Sequence, residues 1–198
     1  MRYGTIALLS ATALALAGCG HKEETTTTTM NSVTADTSGT IVADNGVLDN
    51  SVVVAPASGG QAFANTAAAS DAFEIAESQL AAANAQSPAI KSFAKKMIEA
   101  HTGSTAKLKT IASGLTPAIT PDATLTPDQQ SKLDALKSKT GADFDAAYAA
   151  DQVAAHEATL DALRTYSTSG DVPELKTFAT GLVPTVTAHL NMAKGLKP

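Results

Sequence analysis

Apolar residues recur at steps of three and four along almost the whole of residues 61–193, and no stretch there alternates with period two. That spacing lines one face of a helix and excludes a half-buried strand. The first helix is expected over Gln61–Ala85, with Ala69, Phe73, Ala76, Leu80 and Ala83 as its apolar stripe. Ser87-Pro88 reads as an N-cap followed by proline at the first helical position. The second helix then runs to about Ala112, carrying Ile90, Ala94, Met97, His101 and Leu108, and Gly114 ends it. Thr126-Pro127-Asp128-Gln129 has the form of a capping box. It opens a short segment, Pro127–Lys139, with Leu133 and Leu136 on its apolar side. Gly141 breaks the chain before a third long helix over Ala142–Ser167.

The last helix is expected from Gly170-Asp171, with Asp171 and Glu174 suited to a cap. Leu175, Phe178, Leu182, Val186, His189 and Ala193 form its face. Pro184 removes a backbone donor there and crowds the Thr180 carbonyl, so this helix is expected either to kink or to end and restart. Four amphipathic helices of about 25 residues are each about 37 Å long. Joined by short or medium loops, they specify an all-α four-helix bundle. The short helix lies in the connection between the second and third long helices.

Composition narrows what such a bundle can do. Aromatics make up 4% of the 198 residues and tryptophan is absent, while alanine is abundant. Alanine-lined helices approach closely and leave little room for a large organic ligand. The formal charge is −5, and no basic footprint for nucleic acid appears. Lys91, Lys95, Lys96, Lys107 and Lys109 read as a solvated face. There is no glycine-rich phosphate loop, no serine–histidine–aspartate arrangement and no cysteine-based metal motif. No residue is singled out as catalytic.

The N-terminal part has a different character. Arg2, an apolar run from Ile6 to Leu16 and then small residues have the layout of a secretory leader, and the run is too short to span a bilayer. It ends at Leu16-Ala17-Gly18-Cys19, which holds the only cysteine of the chain. Those four residues resemble the lipobox of bacterial lipoproteins. The resemblance implies cleavage after residue 18 and acylation of Cys19, and lipid chains of this kind hold a protein stably on a membrane. Gly20 in place of aspartate resembles outer-membrane sorting, with the body in the periplasm. Residues 19–59 read as a Thr/Ser-rich tether, which lacks the apolar surface to fold alone. About 40 such residues span roughly 35 Å. His21 reads as solvated, and Ile41-Val42 and Val52-Val53-Val54 are short apolar patches that could dock on the body. The domain reading is 1–18 leader, 19–59 tether and 60–198 bundle.

His101, His156 and His189 fall one each on the second, third and fourth long helices, each in register with apolar neighbours. Any one of them alone reads as a hydrogen-bonded core histidine. Three on inward faces of separate helices, with a carboxylate, would suit a single divalent transition metal such as Zn²⁺, Fe²⁺ or Mn²⁺. Glu74 is the carboxylate of choice, in line with Phe63, Ala67 and Ala81 on a second stripe of the first helix. Glu77 flanks the Phe73–Leu80 stripe and reads as a solvated surface residue.

Several blocks then resemble a known family. They are Ser70-Asp71-Ala72-Phe73-Glu74-Ile75, Phe93 to His101, Phe144-Asp145-Ala146-Ala147-Tyr148, Gln152-Val153-Ala154-Ala155-His156 and Pro184 to Leu190. Their order and spacing resemble the bacterial ferritin-like family DUF4142, a domain of unknown function, over about residues 62–195. The resemblance implies a ferritin-like bundle in an exported protein, often a lipoprotein, and it supplies no activity. Di-iron carboxylate bundles use Glu-x-x-His pairs. Here the position three before each histidine is Ile98, Val153 and Val186, so the acid-rich ligand set of a ferroxidase is missing.

Three functional expectations follow. One is a non-enzymatic periplasmic binding or stress-linked module whose histidines are ordinary core residues. The second is a single-metal bundle using His101, His156, His189 and Glu74. The third is a metal-dependent oxidoreductase or hydrolase.

Overall fold

The computed structural model describes residues 59–197. The leader, Cys19, His21 and the patches between Ile41 and Val54 lie outside the described residues. Five helices and no strand occur among the described residues: α1 (Gly59–Asn84), α2 (Pro88–Ser113), α3 (Pro127–Lys137), α4 (Gly141–Ser169) and α5 (Pro173–Lys194). None is long and apolar enough to cross a membrane. The expected all-α fold is therefore what forms.

Local signals account for most of the ends. Thr126 and Gln129 make the reciprocal capping box at α3. Gly141 takes φ +63° and opens α4 rather than bending a helix already under way. That left-handed value is open to glycine at little cost. The start of α5 differs from expectation. Val172 is its N-cap and Pro173 its first residue, because Asp171 is engaged elsewhere. Pro184 does not divide α5, which runs unbroken from Pro173 to Lys194. The proline sits on the exposed side, where the carbonyl it leaves free can reach water.

The long helices pair as α1 with α2 and α4 with α5, and across these pairs as α1 with α4 and α2 with α5. The start of α4 meets the α1–α2 turn, where Asp145 accepts the amides of Gln86 and Ser87. Gly59 and Gly60, at the start of α1, meet Asp171 and Val172 in the α4–α5 turn. Consequently α1 and α4 are antiparallel, α2 and α4 are parallel, and the α2–α4 connection must run back along the bundle. It does so against α1, to which it is tied by Gln61 Nε2 donating to the Thr120 carbonyl and Asp122 N donating to Asn65 Oδ1. Helix α3 then packs on α1 and α4. One long crossover of this sort is the connectivity of ferritin-like bundles.

The interior is not uniformly apolar. One hydrophobic cluster holds Phe63, Leu108, Leu163, Tyr166, Leu175 and Phe178. A second, toward the other end, holds Ile90, Phe93, Met97, Leu136, Phe144 and Tyr148. Several buried polar side chains come from the middle turns of the long helices that link these clusters: Asp71, Glu74, Glu77, Ser78, His101, Gln152, His156 and His189. Two expectations for α1 change here. Ala69 and Phe73 of the expected stripe are buried, but the buried face extends to Phe63, Ala64, Ala68, Asp71, Glu74, Ser78 and Ala81, and Ala83 of the stripe is exposed. Glu77 is not a solvated residue but is fully buried. The crossover is the reason, since α3 covers that side of α1 and Gln152 of α4 donates to Glu77 Oε2 at 3.1 Å.

Ser87 caps α2 by position only, for its side chain makes no capping bond. Asp145, buried, does that work from α4, taking the Gln86 amide at 3.0 Å and the Ser87 amide at 2.8 Å. Hydrogen bonds to a carboxylate are worth roughly 1.5–3 kcal/mol each, and their loss would leave the two amides at this half-buried turn without a protein acceptor. Asp145→Ala is accordingly expected to destabilise the fold by about 2–4 kcal/mol, read as a lowered urea midpoint with unchanged m-value. A shift below about 0.5 kcal/mol, the ordinary range for an exposed substitution, would contradict this assignment.

Candidate metal centre

The three histidines expected to face inward do so, and they meet. Ring centroids are 5.8 Å apart for His101–His156, 6.0 Å for His101–His189 and 5.6 Å for His156–His189. One ligand atom from each lies within 4.8 Å of the other two. A point therefore exists within about 2.8 Å of all three (4.8/√3). Bonds from imidazole to a metal are about 2.0–2.1 Å, so shifts of under an ångström would close the site.

Helix packing produces this convergence. α2 and α5 run antiparallel and bring His101 and His189 to one level, and α4 delivers His156 behind them. All three rings are buried, with exposures of 5%, 1% and 9% for His101, His156 and His189. Protein partners occupy one nitrogen of His101 and one of His156. His156 Nδ1 lies 2.8 Å from the Gln152 carbonyl, which can only accept, so Nδ1 carries the proton. His101 Nδ1 donates to Asp71 Oδ1 at 2.8 Å, and the other oxygen of Asp71 accepts from Thr105 Oγ1 at 3.0 Å. This leaves Nε2 of each ring as the nitrogen that is free for another partner. Those two atoms, together with Nδ1 of His189, are buried with no protein partner among the described residues. A carboxylate or carbonyl behind an imidazole is the usual outer support of a metal-binding histidine.

Burial also sets the charge state. Loss of hydration holds the His156 and His189 imidazoles down at about 4. At neutral pH both are uncharged, the form that binds metal.

Glu74 is buried and close, but its place is not among the converging atoms. Its Oε1 lies 3.4 Å from His156 Nδ1, the nitrogen already committed to Gln152. Burial, and then the neighbouring Glu77 carboxyl, hold Glu74 well above the carboxylate range. Glu77 is pushed up to about 8, first by burial and then by Asp151. Sequence reasoning missed Asp71, Gln152 and Thr105 as supporting residues. Asp71 was legible in principle, since an aspartate on an inward helical face calls for a partner.

The carboxyls make a pH prediction. An unfolded chain ionises Glu77 near its ordinary 4.5, whereas the folded protein does so near 8. Above 4.5 the folded state holds a proton that the unfolded chain has released, so stability falls as pH rises toward 8. The depressed histidines act only below their ordinary 6.5. Between pH 6.5 and 8 the thermal midpoint of metal-free protein is therefore expected to fall, and Glu77→Gln to flatten that fall. Equal slopes in both proteins would contradict it.

The family model described as "Domain of unknown function (DUF4142)" matches residues 52–196. Among curated proteins none matches. Solved structures do. CopM in its Cu(II)-bound form superposes with TM-score 0.59 at 17% identity, over 69% of this chain and 93% of that one. Its Ag-bound form gives 0.57 at 18% identity and its Cu(I)-bound form 0.53 at 21%, with the same coverage. At such identities the likeness is one of fold, a helical bundle. With the family pattern running through every helix described above, the chain belongs to the DUF4142 family.

Proposed function

We propose that this protein binds one transition-metal ion, copper foremost, through His101, His156 and His189, as a metal-holding module rather than an enzyme. Two observations on the same three rings carry the reading: one ligand atom from each lies within 4.8 Å of the other two, and each ring keeps one buried nitrogen without a protein partner among the described residues. A buried acceptor left unsatisfied costs about 1–3 kcal/mol, and one ion would satisfy three at once. Imidazole donors suit copper, zinc, iron and nickel, and divalent affinity peaks at copper. The fold likeness to a protein solved with Cu(II), Cu(I) and silver supports the same choice. Zn²⁺, Fe²⁺ or Mn²⁺ with Glu74 as a fourth ligand fits less well, because Glu74 lies against the committed nitrogen of His156. Asp71 takes an outer role, orienting the His101 ring, and Glu74 stands beside Nδ1 of His156 at 3.4 Å.

We place this module outside the cytoplasm. Cys19 is read as the acylated N-terminus, residues 19–59 as its tether, and the bundle as facing the periplasm from the outer membrane. The membrane partner is then the N-terminal lipid, and nucleic acid is not a partner.

The test is elemental analysis of tag-free residues 20–198 after incubation with copper and dialysis. About one ion per chain is expected, falling to background in His101→Ala, His156→Ala and His189→Ala. Asp71→Ala is expected to retain the site with affinity lowered about 10–100-fold, as for other outer-shell losses. Negligible metal in wild type and His101→Ala alike would return the histidines to the role of plain core residues.

A further inference from the structure

The surroundings of the three histidines are lopsided. His156 is the most buried and packs against Phe93, ring centroids 6.3 Å apart, which closes that side. His101 and His189 instead line a cavity of about 40 Å³. On its α2–α5 side it is lined by half-buried Ala100 and Ser104 and exposed Thr185, while on its α1–α4 side Ser70 and Thr159 are tied together by a hydrogen bond of 2.8 Å. A single water-sized guest needs about 10–15 Å³ on this measure, so a donor of two or three atoms fits. Ala100, Ser104 and Thr185 are short, and Leu182 of α5, half-buried, is the one large side chain beside them on this side of the cavity.

Resting on the metal reading above, we infer that the site keeps one coordination position open toward the α2–α5 seam, where it takes a small monodentate ligand of the azide or halide class. Three protein donors plus one vacant position are what distinguish exchangeable sites from closed structural ones. Two features support this arrangement. The three ligand atoms come from only three of the four long helices, and the fourth, α1, contributes carboxyls that touch the outer nitrogens of His101 and His156. No protein group therefore converges as a fourth ligand among the described His, Cys, Asp and Glu residues. The cavity meets the two rings that are least buried. Ala100 and Ser104 keep the passage open, as they stand one turn apart on the same edge of α2.

The probe is sodium azide, added to residues 20–198 carrying one equivalent of Cu(II). A saturable ligand-to-metal charge-transfer band is expected. Ala100→Leu fills the mouth and is expected to weaken azide binding at least tenfold while copper stoichiometry stays at one. Ser104→Leu, on the next turn, is an independent second obstruction should the first variant fold poorly. Copper bound without any azide band would overturn the open position. Azide affinity unchanged in both variants would overturn the assigned route. Failure of wild-type protein to hold copper at all would instead remove the metal reading beneath it.

Discussion

A bundle of this size can be filled with apolar side chains, and this one is not. Between two hydrophobic clusters the long helices bury three histidines, three carboxyls and a glutamine. Burying such groups costs free energy unless they are hydrogen-bonded or bound. Half of that requirement is met inside the protein. Asp71, Thr105 and the Gln152 carbonyl take the outer nitrogens of His101 and His156, and Tyr148 pairs with Ser78 at 2.9 Å. One nitrogen of each histidine is left over, as are both oxygens of Glu74 and one each of Glu77 and Gln152, and the three rings bring one ligand atom each within 4.8 Å of the other two. The apolar clusters on either side supply the stability that lets this layer persist, and the ferritin-like crossover brings α3 down over α1 to seal its acidic flank.

The same layer explains why the protein resembles di-iron bundles in fold and not in chemistry. Those sites place carboxylates in the metal's first shell. Here valine and isoleucine stand where the acids of Glu-x-x-His pairs would be, and the buried acids that remain are set behind the rings. The group that converges is made of nitrogen rather than oxygen atoms. Holding a metal follows from that set more directly than oxygen activation does, and membership of a family without an established activity places no constraint against it.

Much of the fold was legible in the sequence because stripes of Leu, Ile and Phe spaced by three and four leave little choice on α2, α4 and α5. Thr126–Gln129 and Gly141 marked the starts of α3 and α4 by local chemistry alone. The α1 face was misread because its buried side carries Asp71, Glu74, Glu77 and Ser78, which look like a solvent face until α3 is placed over them. Asp171 was misread as the cap of α5 for a related reason. Its carboxyl takes the Tyr166 hydroxyl at 2.8 Å and stands within reach of the α1 start, contacts that only tertiary packing creates. The three histidines were visible by register, but their level along the bundle was not, since crossing helices and loop lengths decide it. Which outer group meets which ring was hidden for the same reason.

X-ray absorption at the copper edge of the singly loaded protein addresses the central claim most directly. Three nitrogen neighbours at about 2.0 Å, with the outer-shell scattering of imidazole rings, are what three converging histidines require. A first shell dominated by oxygen, or one with a single imidazole, would contradict it.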